Sequence, residues 1–345
     1  MSAGRTVLRG GALSLRTPTR ALVAGLAVAL AALALAVWQL GYGDFPMTPL
    51  DVVKVLLGDG SPAQRFIVTE LRLPRVAVAV LVGIALGLAG AVFQSVTRNP
   101  LGSPDVVGFG YGSATGALVA IVLADAGALG TSLGAAAGGV LAGLAVWLLA
   151  WRCGSHGYRI VLVGIGIAAA LNSVNNYLLT RAEFVDATRA TVWLTGSLNG
   201  RDAAHVWPLL AAVLVLAPVV LLGGRALRAL ELGDDAAQAL GVRADHTRLV
   251  QLGAAVLLTA AATAAAGPIS FVALTAPQLA RRITGAPGPN TLPAAGVGAV
   301  LVLAADGVAQ HAFGDTQLPV GVLTGVLGGV YLVWLLYRQR RAGRV

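Results

Sequence analysis

Residues 72–112 read RLPRVAVAVLVGIALGLAGAVFQSVTRNPLGSPDVVGFGYG. Arg72 and Arg75 stand on either side of Leu73 and Pro74, and an unbroken apolar run of about twenty residues follows, the length that crosses a bilayer core as a helix. The run then breaks into a polar turn rich in Pro and Gly. Irregular backbone next to such a run is tolerated at membrane depth only where protein surrounds it or a cavity lies beside it. The stretch therefore reads as a spanning helix with a charged anchor at one end and a functional break at the other.

The same pattern extends through the chain. With 57% hydrophobic residues, 11% charged residues and a mean hydropathy of +0.80, it lacks the polar surface of a water-soluble globule. Six long apolar runs cover 21–40, 76–96, 127–151, 205–222, 249–266 and 318–337. Four weaker ones, Gly-rich or short, cover 105–124, 160–179, 268–280 and 291–311. The expectation is an all-α integral membrane protein with about ten spanning helices, eight or nine being the alternatives. Barrel strands would alternate polar and apolar residues, and these runs do not.

Arg5, Arg9, Arg16 and Arg20 precede the first run, but at about 20 apolar residues it exceeds the ~7–15 residues of a signal-peptide core. It reads as an uncleaved first helix. With the N-terminus inside and ten helices, 17 of the 24 Lys and Arg residues fall on inside segments. Lys54, Arg65, Arg72, Arg75, Arg181, Arg189 and Arg201 remain outside. The positive-inside rule thus supports both helix number and orientation, with both termini cytoplasmic. The expected layout is a cytoplasmic tail at 1–20, a transmembrane domain at 21–337 with a cytoplasmic segment at 230–241, and a cytoplasmic tail at 338–345. The net charge of +9 needs no nucleic acid to explain it.

Several chemistries are excluded. Cys153 is the single cysteine, so neither an intrachain disulfide nor a thiolate metal site can form, and His156 three residues on does not complete one. His205, His246 and His311 are scattered. Lys54, the single lysine, has no glycine-rich run before it, which rules out a phosphate-cradling loop for ATP. Ser155 and His156 in CGSHG lack a third group to orient them as a nucleophile and base. The sequence points away from an enzyme and from any directly bound cofactor.

Three polar features need explaining. GGRALRALELGDDAAQALGVRADHTR, residues 223–248, is the longest polar stretch on the expected inside face. Asp234 and Asp235 suit the start of a short helix and Gly241 its left-handed end, while Leu232, Ala236 and Leu240 form a small apolar face. That face is poor for lipid adsorption but fits a groove on a partner protein. Arg72 and Arg75, on the outside, read either as snorkelling anchors or as a site for an anionic partner. Asn172, Asn175 and Asn176 share one face of a helix and read either as interhelical glue or as the lining of a path. Asp306, with Gln310 and His311 nearby, is the one clear intramembrane carboxylate, and an ion-coupled transporter using it with the asparagines is the competing reading.

The chain resembles the FecCD family, the permease subunits of ABC importers for iron-siderophore complexes and cobalamin. Their second helix opens with RLPR and closes with Q…NPL, as Arg72–Arg75 and Gln94…Asn99-Pro100-Leu101 do here. LELGDDAAQALGV is similar to the family's ALGE…A…LG coupling element. GPISFVALTAPQLARR is similar to its G-x-I-x-F-V-G-L…P-H…R stretch, with Ala273 for glycine and Gln278 for histidine. QLPVGVLTGVLGGVYLVWLL matches the last helix, with Gln317 where glutamate is common.

The resemblance implies a type II ABC importer permease fold without catalysis of its own, in the bacterial inner membrane. ATP is used by two separate ATPase subunits, which contact Leu230, Glu231, Leu232, Gly233, Asp234, Asp235, Ala236, Ala237, Leu240 and Gly241. Arg72 and Arg75 would receive acidic residues of an extracytoplasmic substrate-binding protein, and a third docking arginine of some relatives is replaced here by Gln310. Asn172, Asn175, Asn176 and Gln94 are the candidate pathway residues. RNPLGSPDVVGF is closest to one half of the catecholate-type, ferric-enterobactin permease pair. That implies a ferric-siderophore substrate and a second FecCD-like permease, with cobalamin or haem as the runner-up.

Overall fold

The computed structural model describes residues 5–10, 13–43, 45–105, 107–152, 157–313 and 317–341. Cys153, Ser155 and His156, which the sequence gives no metal or nucleophile role, lie outside the described residues.

The helices run in chain order α1 (Thr19–Gly41), α2 (Pro49–Leu56), α3 (Pro62–Arg65), α4 (Leu73–Thr97), α5 (Phe109–Leu118), α6 (Ala128–Arg152), α7 (Gly157–Arg181), α8 (Phe184–Leu194), α9 (Ala203–Leu222), α10 (Gly224–Glu231), α11 (Asp234–Ala239), α12 (Ala244–Ala266), α13 (Val272–Thr284), α14 (Thr291–His311) and α15 (Val320–Arg341). A π-helical turn, Phe66–Arg72, joins α3 to α4, and another, Val119–Leu123, extends α5. Among the described residues seven helices are long and apolar enough to cross a membrane: those at Thr19–Gly41, Pro62–Thr97, Ala128–Ala150, Arg159–Arg181, Ala203–Leu222, Ala244–Ala266 and Thr291–His311. Two shorter apolar helices, Phe109–Leu123 and Val320–Trp334, join them, and the short α13 lies where the sequence placed a weak run at 268–280.

The expected N-terminal tail holds a feature the hydropathy pattern does not reveal. Strands β1 (Arg5–Gly10) and β2 (Leu13–Pro18) pair antiparallel, Arg5 opposite Pro18 and Gly10 opposite Leu13.

α4 is the central helix, buried along nearly its whole length from Pro74 to Val96. Its glycines explain how neighbours come so close. A Cβ on Gly83 would run into the backbone of Gly298 and Ala299, and one on Gly87 into that of Ala294 on the same helix α14. Further along, Gly90 abuts the Ala273 backbone of α13. α5 and α6 form a second seam, Gly112 and Gly116 against Gly134 and Gly138. Without a hydrophobic drive between helices in lipid, such small-residue seams supply the packing.

The connections divide into two ends. One, the basic end, carries the start of α1, the turn after α4, the α10–α11 segment and the turn between α13 and α14. Arg20 of α1 closes the last turn of α13 there, donating from Nε to Ile283 O at 3.0 Å and from Nη2 to Arg282 O at 2.9 Å. At the opposite end, the loop after α8 binds the break between α12 and α13 and the start of α15. Ser197 N–H donates to Ala266 O at 2.8 Å, and Gly321 N–H donates to Gly196 O at 3.0 Å.

Candidate functional site

At the basic end the 223–248 stretch holds the short helix expected at Asp234, α11, and a second one before it, α10. Gly233, at φ 111°, separates α10 from α11, a backbone conformation that favours glycine. α11 starts at Asp234 with Asp235 beside it, and Gly241 follows at φ 80°, as the capping pattern in the sequence indicated. The segment has two sides. Leu230 and Ala237 are buried with Ala229 and Ala244. Leu232 and Leu240 are 68% and 65% exposed, with Asp235 also exposed and Ala236 half-buried. The small apolar face inferred from the sequence therefore points away from the bundle.

The inward side is tied to the end of α4. Ser95 Oγ donates to Glu231 Oε1 at 2.8 Å. Asp234 Oδ1 accepts from Arg98 Nη2 at 3.4 Å and from Arg248 Nη2 of α12 at 2.5 Å. One turn back, Gln94 is buried with both ends of its amide engaged. Its Nε2 donates to Leu274 O at 3.0 Å, while its Oε1 accepts from Gln278 Nε2 at 2.9 Å and Arg281 Nη2 at 2.6 Å. Gln278 also donates to Pro100 O at 2.8 Å. The polar atoms of Gln94 and Gln278 hold α4, α13 and the turn after α4 together.

The three asparagines of α7 separate in the same way. Asn175 is buried; it accepts from Thr115 Oγ1 at 2.6 Å and donates to Tyr111 O at 3.3 Å, tying α7 to α5. Asn172 and Asn176 are exposed on the helix surface. Sequence spacing groups all three on one face, but only the neighbouring helix decides which of them it covers.

At the opposite end, Arg72 donates to the carbonyls of Leu40 and Phe45, both at 2.8 Å. Arg75 grips Asp306 of α14 through two bonds, Nε to Oδ2 at 3.0 Å and Nη2 to Oδ1 at 2.8 Å, and its Nη1 donates to Asn199 Oδ1. Gln310 Nε2 adds a bond to Asp306 Oδ2 at 2.7 Å. The Asp306 side chain is wholly buried and that of Arg75 is 16% exposed. The carboxylate that the sequence left isolated has a charged partner and an amide, which removes the ground for a free proton relay. His311 sits against Gly307 O at 2.8 Å and packs on Trp38 and Tyr42. Among the described residues no cluster of His, Cys, Asp and Glu could hold a metal ion.

Asn199, Ser95, Arg98 and Arg248 were not singled out from the sequence. Arg98 alone had a signal, its place between the α4 run and Asn99-Pro100-Leu101.

Among the described residues, a bundle of seven membrane-length apolar helices and two shorter apolar ones, with the short α13 starting at the left-handed Phe271 and a two-helix segment at its basic end, is the architecture of an ABC-importer permease. The chain belongs to the FecCD transport family, whose pattern matches residues 19–338. It is 46% identical over 322 residues to the ferric enterobactin transport system permease protein FepG of Escherichia coli, covering 93% of this chain and 98% of that one. It is 37% identical to the Fe(3+) dicitrate transport system permease protein FecD of the same organism, over 93% of this chain and 99% of that one. With the iron(3+)-hydroxamate import system permease protein FhuG of Bacillus subtilis it shares 33% identity over 87% of this chain and 92% of that one. Among solved structures, an inward-facing conformation of a metal-chelate type ABC transporter superposes with a TM-score of 0.80 at 26% identity, covering 91% of this chain and 98% of that one.

Proposed function

We propose that this chain is the permease subunit of an ABC importer that moves a ferric siderophore of the catecholate, enterobactin-like type across the bacterial cytoplasmic membrane. It works with a second FecCD-like permease, two ATPase subunits that use the ATP, and an extracytoplasmic substrate-binding protein. The observation that carries the substrate is the 46% identity to FepG over 93% of the chain. What supports the division of labour is the α10–α11 segment: its exposed Leu232, Asp235 and Leu240 offer a partner a compact face with a charge at its edge.

The basic end is cytoplasmic on this reading, following the positive-inside rule. The ATPase docks on the outward side of the segment from Leu230 to Gly241, where Leu232, Asp235 and Leu240 are exposed, and the binding protein docks at the opposite end around Arg72 and Arg75. Both guanidiniums are already bonded within the chain, so docking there uses their remaining N–H groups and gives mainly orientation and encounter rate. Asn172 and Asn176 line the path where α7 meets the second permease, whereas Asn175 and Gln94 hold helices together.

The test is uptake of radio-iron-labelled ferric enterobactin by cells lacking their own permease pair, complemented with this chain, its partner permease, the ATPase and the binding protein. Uptake that needs the ATPase's catalytic glutamate and survives collapse of the ion gradient is the expected result. Uptake of cobalamin or haem in its place reassigns the substrate, and gradient-dependent uptake without the ATPase overturns the importer reading.

A further inference from the structure

We propose that Asp234 is the positioning residue through which movement of the α10–α11 segment reaches the spanning helices, acting on α4 and α12 rather than on the ATPase. The inference rests on the importer reading above and deepens it by separating two adjacent aspartates that the sequence presents as a pair.

The geometry separates them. Asp235 is exposed on the side that carries Leu232 and Leu240. Asp234 faces the bundle, where a single oxygen, Oδ1, accepts from Arg248 Nη2 at 2.5 Å and from Arg98 Nη2 at 3.4 Å. Arg248 lies on α12 with its side chain only 5% exposed. Its other carboxylate, Asp245, is at 3.5 Å and largely in solvent. Arg98 closes α4 in a left-handed conformation, φ 51°, so its backbone is fixed to the end of that helix. One carboxylate therefore bridges two spanning helices.

Little else fastens α11. Its N-terminal neighbour Gly233 interrupts the helix, so α10 does not continue into it as a rigid rod. Its buried apolar contacts are small, Ala237 with Ala229, Leu230, Val242 and Ala244. Charge-assisted bonds are the stronger and more directional tie. The receiving end is also connected onward. In the last turns of α4, Ser95 holds Glu231 of α10, and Gln94 holds Gln278 and Arg281 of α13. A displacement of Asp234 is thus delivered to α4 and α12 directly and to the broken helix α13 through α4, a contiguous route of bonded groups.

The test uses the full transporter reconstituted in proteoliposomes with its binding protein and labelled ferric enterobactin, reading ATPase co-purification and iron transported per ATP hydrolysed. For Asp235→Asn, less ATPase is recovered with the chain. For Asp234→Asn the ATPase co-purifies, but transport per ATP falls by about tenfold, within the range usual for coupling between sites. The charge exchange Asp234→Arg with Arg248→Asp restores most of that ratio, which a loss of general stability would not permit. Should Asp234→Asn fail to insert, Arg98→Gln removes the more exposed partner and is expected to lower the ratio by about threefold. An unchanged ratio in Asp234→Asn, or a loss of ATPase binding equal to that of Asp235→Asn without rescue by the exchange, overturns the inference while leaving the importer reading in place. A wild-type chain that captures no ATPase overturns both.

Discussion

Arg75 and Asp306 show how much a single residue's role depends on a distant partner. The pair joins α4 to α14 through two bonds, with Gln310 on the second carboxylate oxygen. Removing one member of a buried ion pair costs about 3–5 kcal/mol because the other charge is left uncompensated, whereas replacing both with apolar residues is often neutral or better. Asp306→Ala is therefore expected to lower the thermal unfolding temperature of the detergent-solubilised protein sharply, and Arg75→Leu with Asp306→Leu to recover most of the loss. Equal losses in the single and double variants would contradict a role as a structural pair. The sequence shows Asp306 as a lone carboxylate because its partner lies 231 residues earlier, beyond the reach of any helical spacing. Asp202, at the start of α9, can be tested by titration. A hydrogen bond from His205 above all, opposed by burial, holds its carboxyl below the ordinary value of 3.8. A depressed folded-state value means that the stabilisation is present above 3.8 and lost as pH falls through the lower folded value. The NMR midpoint of Asp202 should lie below 3.8 and move upward in His205→Ala.

At the scale of elements, the glycine seams set where helices cannot move apart. Gly87→Leu and Gly116→Leu would drive side chains into the backbones of Ala294 and Gly134, and both are expected to reduce the yield of folded, monodisperse protein in size-exclusion chromatography. Gly253→Ala, with nothing within 4 Å of the added carbon, should match wild type. The long apolar helices were legible because hydropathy and length report directly on the bilayer. In the 223–248 stretch the short helix from Asp234 to Gly241 was legible through its capping residues, whereas the separate α10 before it was not, since Gly233 divides the two through backbone conformation. The asparagines of α7 were legible as a face but not as roles, because α5 covers Asn175 and leaves Asn172 and Asn176 open.

Across the whole molecule, α4 connects the two ends. It carries Arg75 near its start and Ser95 near its finish, and its 25 residues span about 37 Å at 1.5 Å per residue, roughly the thickness of a bilayer. The proposed orientation can be checked with Cys153→Ser as background. A cysteine at Gly60 should react with an impermeant maleimide in intact cells, and one at Asp245 only after the membrane is opened; the reverse pattern would invert the assignment.

The Arg75–Asp306 pair also bears on how the chain is made. Arg75 leaves the ribosome 231 residues before its counter-ion, and at ~5–20 residues per second the interval is roughly ten to fifty seconds. During it the guanidinium sits at the edge of the lipid with no carboxylate to meet it, held by snorkelling and by interfacial water. A chain cut short before α14 keeps that unpaired charge permanently. Completion of α14 is thus what supplies its counter-ion.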